Sequence, residues 1–348
     1  MPRKPHSTSL PELDERAKQL LGAVVRQHIA TAEPVASAEL VRQYHLDISP
    51  ATVRNELAAL EELGLLTHPH TSAGRVPTDL GYRYFIESLM PHPALDEAEE
   101  LTISHQFQQA LRDTAGWLRV AASSLARLTE EASIVTPPAA KRSTVRHIEA
   151  VPVHERRVLL VAVLESGQVR QQLLETSVPA SAEHLRMLSA RLTEALAGAT
   201  AERVRELAGR ETGADADIAR ALARVVEEHD AWHARDVYVD GFQNILAKPE
   251  FAETERGREM LSLFEDHTRL AAILPLELDA GDVHVSIGSE HRLEPLRDCS
   301  FIVGRYGTDA MGFVGVLGPI RMDYARSIGA VRYVGSLMSD LVRVMEGR

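Results

Sequence analysis

Residues 49–64 of this chain read SPATVRNELAALEELG, a stretch that predicts a capped amphipathic helix. Ser49 is a good N-cap, Pro50 suits the first helical position, and Gly64 favours the end of the helix. Apolar side chains recur between them at the spacing of one helical face, at Val53, Leu57 and Leu60. One face of this helix is therefore expected to be buried, and the opposite face is expected to be exposed.

The opposite face carries small and polar side chains of the kinds that a DNA groove accepts. Arginine and asparagine can make paired hydrogen bonds with guanine and adenine edges, and threonine can bond a base or a phosphate. Small alanine side chains let the helix backbone approach the base edges. We therefore predict that the beginning of this helix contacts duplex DNA, through Ser49, Ala51, Thr52, Arg54 and Asn55.

The flanking sequence predicts two further helices before this one and a β-hairpin after it. Residues 14–30 show the i, i+3, i+4 spacing of apolar side chains, and Ser37 can cap a short second helix. After the third helix, residues 65–68 and Val76 favour two strands that are joined by the turn-rich run at 71–74. Three helices followed by a hairpin are typical of a winged helix-turn-helix domain.

The hairpin has a local positive character within a module that is not basic as a whole. Residues 63–78 contain one arginine, two histidines and no acid, whereas residues 1–90 hold nine Lys/Arg and eleven Asp/Glu. A positive field must therefore come from the placement of charges. An alternative interpretation is a small helical module that packs on another domain. On the DNA-binding interpretation, the polar side chains expected to approach DNA are His68, His70, Thr71, Ser72 and Arg75.

Two groups of motifs, one near each end of the chain, resemble a known family. They read ATVRN at 51–55, PHTSAGRVP at 69–77, GYR at 81–83, DCS at 298–300 and GFVGVLGPIRMDY at 312–324. These motifs are similar to those of the bacterial heat-inducible transcription repressors, the HrcA family. The resemblance implies a winged helix-turn-helix domain, a GAF-like α+β domain and an inserted dimerisation domain. It also implies a homodimer that binds an inverted-repeat operator of chaperonin and chaperone operons, is released on heat stress, and is modulated by the chaperonin.

The remaining sequence mixes strand-like and helical segments, which predicts an α+β multidomain protein. The prolines at 91 and 93 mark the end of a first domain at residues 1–90. Strands are expected at 145–153, 157–164, 169–174, 237–241, 283–288, 299–304 and 311–317, with helices between and after them. We assign 94–177 and 236–348 to the GAF-like domain and 178–235 to the mostly helical, inserted dimerisation domain.

Composition bounds the class of protein. A chain of 348 residues with 45% hydrophobic content is long enough for two or three cores. Its first eleven residues lack the apolar segment of a signal peptide, and its longest apolar run, 158–164, is too short to span a bilayer. The single cysteine, Cys299, excludes an intrachain disulfide and favours a reducing compartment. We therefore expect a cytoplasmic protein.

Enzyme classes find no support in the sequence. It contains no phosphate-binding glycine loop, nucleophile elbow or zinc-protease helix, so no catalytic residue, metal or cofactor is predicted. Two alternatives stay open. One is a ligand-sensing regulator of another regulon, whose GAF-like core binds a small molecule. The other is an enzyme with an accessory DNA-binding domain, which requires titratable groups that converge in a cleft.

Overall fold

Three apolar cores organise the chain. The computed structural model describes residues 10–45, 48–69, 74–91, 95–110, 114–140, 143–165, 167–233, 237–252, 255–275, 278–308 and 310–345. One core joins the N-terminal helices to one face of a principal sheet, another covers the opposite face of that sheet, and the last belongs to a separate three-stranded sheet. This combination of helices with antiparallel sheets confirms the α+β multidomain prediction. Within the described ranges, no helix has the length and apolar character needed to cross a bilayer.

The N-terminal module consists of short helices around a two-stranded antiparallel sheet. Asp14 caps the first helix by accepting a hydrogen bond from the Ala17 amide at 2.8 Å. Ala32 ends that helix in the left-handed conformation, at a φ of 59°. The elements are α1 (Glu15–Thr31), α2 (Ser37–Gln43), α3 (Pro50–Glu62), β1 (Leu66–Thr67), β2 (Val76–Pro77) and α4 (Asp79–Tyr84), which continues into a π-helical turn at Phe85–Leu89.

Two helices connect this module to the principal sheet. Asp96 and Glu99 form a capping box that begins α5 (Glu97–Gln109). The next helix, α6 (Thr114–Thr129), packs against the sheet together with the C-terminal helix α13 (Tyr324–Met345). Apolar side chains in helical phase predict helix from residue 94 to residue 131, and the structure has two helices in that segment.

The principal sheet is built from strands that lie far apart in the chain. Its strands are β3 (Ala132–Val135), β4 (Ala139–Ala140), β8 (Tyr238–Asp240), β9 (Val283–Ile287), β10 (Cys299–Tyr306) and β11 (Ala310–Pro319). The order is β8-β3-β11-β10-β9, with β4 paired to the start of β11, and all pairs are antiparallel. Side chains alternate along β10, so that Ile302 faces α6 and α13 whereas Phe301 and Val303 face the other layer. That layer contains α10 (Phe242–Leu246), α11 (Glu255–Glu265) and α12 (His267–Ala271).

A second sheet with its own helices is inserted between β4 and β8. It contains β5 (Val145–His154), β6 (Arg157–Leu164) and β7 (Val169–Glu175), followed by α7 (Ala182–Leu196), α8 (Ala201–Ala208) and α9 (Gly213–His233). One face of this sheet packs on the helices, and the strands pair only with one another among the residues described.

The insert begins earlier in the chain than the predicted domain border at residue 178. We placed the insertion at 178–235 and gave the strands at 145–174 to the GAF-like domain. In the structure Ile148, Leu160 and Leu164 lie in one buried cluster with Leu185 and Leu222. The structural insert therefore begins near residue 143, because the three strands cover the apolar face of α7 and α9. The predicted border missed this because a strand's side-chain pattern does not show which sheet it joins.

Candidate nucleic-acid interface

The start of α3 is fixed by a local cap. Ser49 has an extended backbone, and its hydroxyl accepts a hydrogen bond from the Thr52 amide at 3.1 Å. The Thr52 hydroxyl lies 2.9 Å from the same Ser49 oxygen. Pro50 occupies the first turn, where its missing amide proton costs no hydrogen bond. Ser49 and Thr52 thus order the first turn, in addition to any contact that they make outside the chain.

One face of α3 is buried and the opposite face is exposed, as its sequence pattern predicts. Val53, Leu57 and Leu60 are each at most 1% exposed and belong to the same core as α1. Ala51, Arg54 and Asn55 are exposed. Within the described part of the chain, Arg54 and Asn55 make no side-chain hydrogen bond or ion pair, so their polar groups are available to a ligand.

The hairpin is attached to the helices through its return strand. The amide and carbonyl of Arg75 make two hydrogen bonds with the carbonyl and amide of Val35, at 3.0 and 2.9 Å. A Cβ atom on Gly74 would lie 2.5 Å from the Val35 carbonyl, so this close approach requires glycine. Val35 therefore acts as a third, single-residue strand that holds the return strand against the segment between α1 and α2.

Glu61, near the end of α3, joins the helix to both sides of the hairpin. Its carboxylate accepts from Arg75 Nε at 3.0 Å and from a terminal Arg75 nitrogen at 2.9 Å, and it pairs with His68 Nδ1. The hydrogen bond from His68, opposed by partial desolvation and helped by the positive charge of Arg75, lowers the pKa of Glu61 below its ordinary value. Because two hairpin side chains converge on one helix side chain, the hairpin and α3 are held in a fixed relative position.

The structure thus brings part of the predicted set onto one surface. Ser49, Ala51, Thr52, Arg54 and Asn55 lie together at the exposed start of α3. His68 and Arg75 lie at the base of the hairpin, where both contact Glu61. The remaining three predicted residues, His70, Thr71 and Ser72, lie outside the described residues.

Sequence reasoning assigned no role to Glu61. The only available signal was an acid at the end of a helix that precedes a hairpin with no acid of its own. The side chain of Arg75, predicted as a DNA contact, is 20% exposed and pairs with Glu61; its contact with DNA stays a prediction.

Comparison with known proteins identifies the family. Residues 115–328 match the model described as the HrcA protein C-terminal domain. The chain belongs to the HrcA family. Two HrcA relatives, described as heat-inducible transcription repressors, are each 42% identical to it over 345 residues. The relative from Roseiflexus castenholzii is matched over 97% of this chain and 96% of its own length. For that from Herpetosiphon aurantiacus both shares are 97%.

More distant comparisons extend over the same length. The HrcA relative from Geobacter sulfurreducens is 36% identical over 343 residues, which cover 97% of this chain and 99% of the relative. A crystal structure described as that of a hypothetical protein has a similar fold, with a TM-score of 0.59 and 24% identity over 95% of this chain and 98% of that one. The similarity to HrcA proteins therefore includes the N-terminal module as well as the matched C-terminal domain.

Proposed function

We propose that this chain is a DNA-binding transcription repressor of heat-shock operons; its HrcA relatives are named heat-inducible transcription repressors. The observation that carries the proposal is the exposed start of α3. There Arg54 and Asn55 present unengaged hydrogen-bonding groups beside the small side chain of Ala51. These groups match the edges of guanine and adenine in the major groove.

We infer that α1, α2, α3 and the β1–β2 hairpin act as a winged helix-turn-helix domain, with α3 as its recognition helix. The order of elements and the burial of one α3 face against α1 support this inference. Arg54 and Asn55 contact bases, and Ser49 and Thr52 approach the phosphates at the start of the helix. His68, His70, Thr71 and Ser72 remain the predicted contacts of the wing with the DNA backbone. Arg75 chiefly holds the wing in place through Glu61.

The protein binds its operator as a homodimer, since one recognition helix contacts too few base pairs to specify a site in a genome. The outer face of the insert sheet supplies a surface for a second copy. Across it, Val151 pairs with Leu159 and Leu159 with Leu173. Val151 is 39% and Leu173 is 58% exposed. A contiguous apolar patch on a sheet face is typical of an interface, and a two-fold dimer would cover the same patch on both copies.

The principal sheet and its two helical layers form the GAF-like domain of this proposal. The alternative of a ligand-sensing regulator predicts a polar cavity inside that domain. An open cleft on the surface, along α5 and α6, is lined by Gln106, Gln109, Ala110, Val120, Ser123 and Arg127. That position gives the alternative no additional support.

Modulation by the chaperonin is part of the proposal. The principal sheet requires pairing between residues far apart in the chain, as Ile134 pairs with both Val239 and Gly315. Such non-local pairing slows folding and leaves apolar surface exposed in the meantime. We expect chaperonin added during refolding to increase the fraction of protein that binds DNA. Unchanged DNA occupancy after such addition would contradict this part of the proposal.

The proposed function is tested by fluorescence anisotropy with two duplexes at one physiological salt concentration, because phosphate contacts make affinity depend on salt. One duplex carries the inverted repeat from upstream of a chaperonin operon, and the other carries the same bases in scrambled order. We expect tight binding of a dimer to the repeat alone. Equal, weak binding to both duplexes by folded, chaperonin-treated protein would contradict the proposal.

A further inference from the structure

The short helix α4 connects the N-terminal module to the principal sheet through two charged side chains one turn apart. The Asp79 carboxylate accepts hydrogen bonds from the Ser289 amide at 2.8 Å and from the Ser289 hydroxyl at 2.7 Å. Arg83 donates from Nε to Glu290 at 3.1 Å and from a terminal nitrogen to the Val285 carbonyl at 2.7 Å. The partners of both side chains belong to β9 and to the turn that follows it.

That turn is shaped to receive Asp79. Gly288 has a φ of +50°, and a Cβ atom on it would lie 2.4 Å from a carboxylate oxygen of Asp79. Glu290 is held from a second side, because its carboxylate also accepts a hydrogen bond from the Ile287 amide at 2.9 Å. The conformation of Gly288 thus leaves room for the Asp79 carboxylate, and Glu290 is held in position to accept from Arg83.

The buried face of α4 packs against the N-terminal module and against the C-terminal helix α13. Tyr82 is 1% exposed, and its ring centre lies 5.8 Å from that of Tyr324 at the start of α13. The Tyr82 hydroxyl lies 2.6 Å from His28 Nδ1 on α1. A Cβ atom on Gly81 would lie 2.1 Å from the Leu65 carbonyl oxygen, next to the hairpin. Because α4 contacts the DNA-binding module on one side and the sheet on the other, it transmits the orientation of one to the other.

We propose that Asp79 and Arg83 are positioning residues that fix the orientation of each DNA-binding module and thereby set the distance between operator half-sites that the dimer accepts. This inference rests on the proposed function. A dimer binds two half-sites whose separation follows from the geometry of the protein. One added base pair turns a half-site by about 35° and moves it by about 3.4 Å, so a rigid dimer discriminates between spacings.

The test compares the wild-type protein with Arg83→Gln and the double variant Asp79→Ala/Arg83→Gln. Anisotropy measures binding to inverted repeats whose half-site spacing is native or longer by one or two base pairs, and to a single half-site. We expect wild-type affinity to fall by about tenfold or more for each altered spacing, because the half-site rotates out of register. For the variants, the penalty should shrink to about threefold or less, while half-site binding stays unchanged. Arg83→Lys should restore only part of the discrimination, because lysine lacks the forked donors of arginine.

Arg256→Gln is the matched control, since it removes an arginine and its ion pair with Asp298 at 3.1 Å, away from α4. It should keep the wild-type dependence on spacing. A merely destabilised variant would lose affinity for every duplex in proportion, and thermal unfolding would report the same loss. If the folded double variant kept the full wild-type spacing penalty, the inference would be overturned.

A second measurement separates this inference from the proposed function. Spin labels at Ala59→Cys on α3 and Ser336→Cys on α13 report the distance between the N-terminal module and the sheet domain in the absence of DNA. The labelled protein is diluted with unlabelled copies, so that the distance is measured within one subunit. Both positions are exposed, and the native Cys299 is buried. We expect a narrow distance distribution that broadens in the double variant. An unchanged distribution would overturn the inference, whereas failure of the wild-type protein to prefer the inverted repeat would count against the proposed function.

Discussion

Replacement of Glu131 by glutamine should remove a dependence of stability on pH. Glu131 is 3% exposed, and its Oε1 atom lies 3.4 Å from Lys248 Nζ. A Cβ atom on Gly318 would lie 2.2 Å from its Oε2 atom, for which no hydrogen-bond partner is found among the described residues. Burial raises the pKa of this carboxyl from 4.5 to about 7, against the opposing effects of the Lys248 and Arg321 charges.

The sign of the effect follows from proton binding. Between pH 4.5 and about 7 the folded protein keeps a proton on Glu131 that the unfolded chain releases, so the free energy of unfolding falls as the pH rises through this window. At about 1.4 kcal/mol for each tenfold change in proton affinity, the total loss is about 3 kcal/mol. If the chain unfolds as one unit, its entropy of unfolding converts this loss to about 4 °C in Tm.

The assay is thermal unfolding of the wild-type protein, Glu131→Gln and the control Glu130→Gln at pH 5 and pH 8. Glu130 is exposed, so its replacement removes the same charge without the buried carboxyl. Between pH 5 and pH 8, we expect the free energy of unfolding of Glu131→Gln to rise by about 2.5 kcal/mol relative to that of the wild-type protein, and that of Glu130→Gln to change very little. An equal difference between Glu131→Gln and the wild-type protein at both pH values would refute the reasoning.

Three further outcomes test the interface and the dimer. Arg54→Ala should cost about 1–3 kcal/mol of operator binding and leave binding to scrambled DNA unaffected, with the exposed Arg210→Ala as control. An unchanged preference for the operator would show that Arg54 does not contact bases. Glu61→Gln should weaken operator binding about as much as Arg75→Ala, and the double variant should lose little more, because both changes release the hairpin; additive losses would indicate a direct contact of Arg75 with phosphate. Leu173→Glu should yield monomers in analytical ultracentrifugation, whereas a stable dimer would place the interface elsewhere.

Local patterns predicted the elements well where a segment is strongly periodic or capped. The start of α3 follows from Ser49 and Pro50, and the strands of the insert were predicted within one residue of their observed bounds. The short strand β3 was missed because Ala132–Val135 has only four residues, all buried, and thus no alternation.

Long-range pairing explains what the sequence could not predict. The partner of β3 is β11, about 180 residues later, and no local pattern specifies that pairing. The assignment of the insert strands to the wrong core has the same cause. At the candidate interface, the exposed face of α3 followed from its periodicity, whereas the contact between Glu61 and Arg75 depends on how the hairpin folds back on the helix.

The position of β3 between β8 and β11 in the principal sheet also sets an order of events during synthesis. Val135 leaves the ribosome well before Leu317, and at about 5–20 residues per second the interval between them is roughly 10–40 s. During that interval the complete insert emerges and can form its own core, whose buried members among the described residues lie between 145 and 226. Throughout this interval, the face of α6 that packs on α13 and the edge of β3 that pairs with β11 remain uncovered. A nascent chain paused within this window is therefore the form in which the protein is most exposed to aggregation, and translation speed over residues 140–310 should affect its yield.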